Sequence, residues 1–118
     1  MTIEARKSRL FDPDAGGPVT STVISADKLN VSQTITPGGT TGAQTINKGA
    51  GTVNFAAAAT SLVVTNSLVT TSSTIYCTVR TADTTATIKN VVPAAGSFTI
   101  TLGAAATAET SVGFLVIN

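Results

Sequence analysis

Thr74-Ile75-Tyr76-Cys77-Thr78-Val79-Arg80 and Ser97-Phe98-Thr99-Ile100-Thr101-Leu102 are the stretches that decide the fold. In the first, Ile75, Cys77 and Val79 fall on one side of an extended chain, and Thr74, Tyr76, Thr78 and Arg80 on the other. In the second, Phe98, Ile100 and Leu102 alternate with Ser97, Thr99 and Thr101 in the same way. A period of two marks a half-buried β-strand, because a helix would repeat every 3.6 residues. Between these stretches, residues 86–92 read as another strand. Turns at Ala82-Asp83-Thr84 and Pro93-Ala94-Ala95-Gly96 set it off. Farther out, residues 52–55 and 62–65 precede the pair and residues 111–117 follow it. Short strands roughly 8–12 residues apart predict an all-β fold, an antiparallel β-sandwich of jelly-roll type over residues 51–118. Cys77, Val79, Phe98, Ile100, Val112 and Phe114 are its expected core.

Composition supports the same reading. Threonine fills 23 of the 118 positions, while His and Trp are absent and Tyr occurs once. Thr and Val are β-branched and suit a pleated surface. The alanine runs sit beside Gly, Thr and Ser without an amphipathic period, so they are read as loops or tight packing.

Charge divides the chain into three parts. Of seven basic and six acidic residues, Glu4, Arg6, Lys7, Arg9, Asp12 and Asp14 crowd into the first 14 positions. Residues 1–17 therefore form a polar N-terminal arm, closed by Ala15-Gly16-Gly17. Residues 18–50 form an extended, turn-rich connecting segment. Within it Leu29, Val31, Gln33 and Ile35 alternate as a strand would, Pro37-Gly38-Gly39 stops that strand, and only Ile46 is left to bury beyond it. So few large apolar groups require this segment to pack on the main domain or on a neighbouring subunit.

The final strand breaks the alternation. Val112, Phe114 and Val116 share one face, and Leu115 and Ile117 share the other. A strand apolar on both faces is expected to be covered on both. Either a second subunit lies over Leu115 and Ile117, or the N-terminal segment folds across them.

The residues needed for most catalytic designs are missing. Without histidine there is no Ser-His-Asp or Cys-His arrangement and no imidazole metal ligand. The single cysteine, Cys77, lies on the apolar side of its strand and reads as a small core residue. Asp27, Asp83 and Glu109 are scattered among turns. The run Asp12-Pro13-Asp14-Ala15-Gly16-Gly17 imitates the start of a calcium loop, but Val23 stands where such a loop needs a bidentate glutamate. No cofactor, no metal and no enzymatic activity are expected. A net charge of +1 gives no basic stripe for nucleic acid, and no apolar run is long enough to span a membrane. Residues 1–11 lack the apolar core of a secretory signal, so synthesis in a host cytoplasm is expected. A body this poor in charge has little repulsion to keep copies apart, which favours permanent association.

Two tracts carry a resemblance. Gly51-Thr52-Val53-Asn54-Phe55-Ala56-Ala57-Ala58-Ala59-Thr60-Ser61-Leu62-Val63-Val64-Thr65-Asn66-Ser67-Leu68-Val69 resembles a segment of small virion proteins of tailed bacteriophages. The ending is similar to theirs too, from Gly96-Ser97-Phe98-Thr99-Ile100-Thr101-Leu102 to Phe114-Leu115-Val116-Ile117-Asn118. The resemblance spans residues 51–118 and leaves out the arm. It implies a β-sandwich subunit, often trimeric, displayed on a phage head or tail.

Among virion roles, the short chain and polar arm favour capsid decoration, also called cement. The expected partners are further copies of the chain and the major capsid protein or another virion protein. The capsid surface is the expected location. Arg6, Lys7, Arg9, Leu10 and Phe11 are the expected capsid anchors, and Leu115 and Ile117 the expected subunit contact. One alternative is a head-fibre, collar or tail-fibre component acting in host attachment. Another is a carbohydrate-binding or adhesin module unrelated to phage. The lack of Trp platforms argues against glycan binding.

Overall fold

The computed structural model describes residues 27–118. It contains eight strands: β1 (Gln33–Ile35), β2 (Gln44–Thr45), β3 (Ala50–Phe55), β4 (Ser61–Thr65), β5 (Thr74–Val79), β6 (Ile88–Ala94), β7 (Ser97–Leu102) and β8 (Thr110–Ile117). No helix occurs among the described residues. The strands form two four-stranded sheets. Sheet A has the order β1-β3-β8-β5 and sheet B the order β2-β4-β7-β6. The fold is an all-β sandwich.

From residue 50 onward every pairing is antiparallel, as the alternation predicted. The connecting segment adds what the pattern did not reveal. Its β1 lies parallel to β3, and its β2 lies parallel to β4. The chain thus winds from sheet A to sheet B and back before the antiparallel strands begin, and both sheets are mixed. The parallel β1–β3 and β2–β4 pairs depart from the all-antiparallel order of the expected jelly roll.

The core lies between the sheets. Val53, Phe55, Val112 and Phe114 come from sheet A, and Leu62, Val64, Phe98, Ile100 and Leu102 from sheet B, all buried. Phe98 and Phe114 meet edge to face across the layers, with centroids 5.1 Å apart, the arrangement that ring quadrupoles favour. Cys77 and Val79, on the edge strand β5, are half-buried and pack against this cluster.

Strand β3 is buried along its whole length on both faces. On its outer face the Thr52 hydroxyl accepts the Thr36 amide at 3.0 Å. The Asn54 amide group donates to the carbonyls of Thr36, Pro37 and Thr40 at 3.4, 2.9 and 3.0 Å. These bonds fix the 36–42 loop over the strand and satisfy polar groups that burial would otherwise penalise. Asn66 acts similarly in sheet B: fully buried, it donates to the Lys48 carbonyl at 2.7 Å and accepts the Leu68 amide at 2.9 Å. Two buried asparagines therefore lock the connecting segment onto the sandwich.

The β6–β7 hairpin turns at Ala95-Gly96, one step later than Pro93 implied. Pro93 is tolerated inside β6 because that strand is an edge, where a missing amide costs no ladder bond. Gly96 adopts a φ of 78°, which a β-carbon would oppose.

Candidate functional site

Alternation carries every second residue of sheet A to the solvent side, and aligned positions on the four strands form rows. One row is Gln33, Ala50, Leu115 and Tyr76; the next is Ile35, Thr52, Gly113 and Thr78. The second row has small residues at its centre and larger ones around it. The result is a groove of about 360 Å³, at the small end of the roughly 300–1,000 Å³ typical of ligand pockets. Gly113 is part of its floor. Leu115, Ile35 and Tyr76 form its walls, with Ile35 52% and Tyr76 63% exposed.

Arg80, at the end of β5, closes one side. Its amide donates to the Ser111 carbonyl at 2.8 Å, and its guanidinium donates to Ser111 Oγ at 3.4 Å. Its Cδ would lie 3.2 Å from a β-carbon placed on Gly113, so the side chain leans into the space that glycine leaves. In the sequence, Tyr76 and Arg80 stand only as the polar side of a strand. The usable signal was that this side holds the only tyrosine of the chain and the only arginine beyond Arg9.

Leu115 and Ile117 both lie on this outer face, as the two-sided pattern implied. Leu115 is half-buried and lines the groove, whereas Ile117 is 47% exposed and sits outside it. Strand β8 is central, between β3 and β5. The anchors Arg6, Lys7, Arg9, Leu10 and Phe11, and the arm that holds them, lie outside the described residues.

The acids do not converge. No group of three metal-ligating side chains occurs among the described residues. Glu109 accepts the Gly39 amide with both oxygens, at 2.7 and 3.1 Å, and ties the 36–42 loop to the approach to β8. Asp83 is a clamp between loops. One oxygen accepts the Thr85 amide (2.8 Å), the Thr85 hydroxyl (2.9 Å) and the Ala86 amide (3.0 Å). The other accepts the Thr107 amide (3.1 Å) and hydroxyl (2.8 Å) and the Thr110 hydroxyl (3.3 Å). These donors, the Thr85 amide foremost and Thr107 next, hold its carboxyl far below the usual carboxylate range. Burial pushes the Cys77 thiol up to about 12, so it is no thiolate nucleophile at neutral pH.

No family model, curated protein or solved structure matches the chain.

Proposed function

We propose that the chain is a structural virion protein of a tailed bacteriophage, a decoration subunit that self-associates and stabilises an assembled head. The observation that carries this reading is strand β8. Its inner face is packed in the core, while Ile117, on the outer face, stands 47% exposed. Leu68, 45% exposed, lies at the same end, where the Asn118 amide group donates to its carbonyl at 3.1 Å. Both side chains are about half exposed, so covering them on association would recover roughly half of the 1.5–3 kcal/mol that full burial of a large apolar side chain contributes. The chain's scarcity of charge and its resemblance to small virion proteins support the same reading. Of the two outer-face residues, Ile117 is the better placed for a subunit contact, because Leu115 is already half-covered in the groove wall.

A decoration subunit binds the assembled lattice and not the free shell protein, so its binding free energy adds to the stability of the shell. Two measurements test this. Quantitative mass spectrometry of particles encoded alongside the chain should find it in fixed proportion to the major shell protein. Purified chain should also co-sediment saturably with shells that lack it. Absence from the particles would remove the virion reading; presence only at a few copies would favour a fibre or collar part.

A further inference from the structure

We propose that the outer-face groove of sheet A is a binding site for an acidic carbohydrate, a sugar chain carrying a carboxylate. The groove crosses the middle of a sheet face, where the backbone groups are already used in the ladders. A peptide adding a strand would need a sheet edge. Recognition here must come from side chains; the Thr52 hydroxyl already holds the Thr36 amide, and four others in the lining differ in kind: the Tyr76 ring, the Gln33 amide, the Thr78 hydroxyl and the Arg80 guanidinium. A sugar ring offers an apolar C–H face to an aromatic ring and hydroxyls around its rim to amides and hydroxyls. Tyr76 is exposed enough to serve as that platform.

Arg80 supplies the charge match. Its only side-chain hydrogen bond among the described residues is to Ser111, a neutral partner. Its charge stands beside the groove with no carboxylate paired to it among the described residues. A guanidinium pairs best with a planar oxyanion such as a sugar carboxylate. The Arg80 side chain leans over Gly113, the partner of Thr78, and so toward Tyr76; a sugar stacked on Tyr76 can present a carboxylate to the guanidinium. The site does not depend on the chain decorating a shell.

Tyr76 is the only tyrosine and there is no tryptophan, so the chain's own emission reports on this groove. The full chain is titrated with galacturonate oligomers of two to four units, and in parallel with neutral glucose oligomers. A saturable emission change is expected with the acidic series, weakening as salt is raised. Arg80→Gln should lower that affinity roughly tenfold or more. Gly113→Val, which fills the floor, should abolish it while circular dichroism stays that of the wild type. If Gly113→Val does not fold, Arg80→Gln and the neutral series still decide. No saturable change, equal binding of neutral oligomers, or unchanged affinity in Arg80→Gln would each overturn the proposal.

Discussion

Asp83 shows how much a single turn residue can hold. Its two oxygens gather six donors from Thr85, Ala86, Thr107 and Thr110, joining the loop after β5 to the loop before β8. The ionised carboxylate accepts these bonds better than the neutral acid does, the Thr85 amide foremost and Thr107 next, so its folded pKa is depressed. A depressed carboxylate contributes stability that is fully present above its unfolded pKa of about 3.9, and that is lost as pH falls from there toward the folded value. Asp83→Asn should therefore lower the unfolding temperature at neutral pH, and the gap to the wild type should narrow steadily as pH falls below about 4. Thermal melts across that range check it; a gap independent of pH would contradict the clamp. The glycines make a second contrast. A β-carbon at Gly51 would lie 2.8 Å from the Thr34 carbonyl and 3.0 Å from the Phe114 ring, so strand β1 or a core ring must move. Gly51→Ala should cost roughly 1–3 kcal/mol in urea unfolding. Gly113→Ala meets the flexible Arg80 side chain at 3.2 Å and the Thr78 methyl at an ordinary 3.8 Å, and should be close to neutral.

At the scale of elements, β8 carries the functional reading. Ile117→Asp should release protomers, since burying an unpaired carboxylate in an apolar contact costs several kcal/mol. Light scattering on the variant checks this, and an unchanged oligomer would place the contact elsewhere. The antiparallel strands were legible because each shows a period of two with inner Val, Ile, Leu or Phe. β1 and β2 were not legible as parallel edges. Strands of three and two residues carry almost no pattern, and their pairing is fixed by Thr52, Asn54 and Asn66, polar groups that hydrophobic periodicity ignores. For the same reason Asp83 looked like one scattered turn acid: its partners are 20-odd residues away on the Thr107 side. The placement of Leu115 and Ile117 on one outer face was readable from alternation alone. The groove was not, because it depends on a glycine on β8 standing beside Thr52 and Thr78 in the assembled sheet.

For the whole molecule, the proposed decoration role would divide the tasks, self-association to the sandwich and attachment to the arm. Residues 1–17 hold Arg6, Lys7 and Arg9 with Leu10 and Phe11. Their deletion should abolish co-sedimentation with shells while leaving the β-domain folded and oligomeric. Particle binding at full occupancy by the truncated chain would remove the arm as the anchor. The central claim, that this is a subunit built to associate with its own kind, is tested most directly by sedimentation equilibrium of the full-length wild-type chain with no particle present. A single species of three times the chain mass, persisting on dilution, is the expected result. A monomer at every accessible concentration would contradict it.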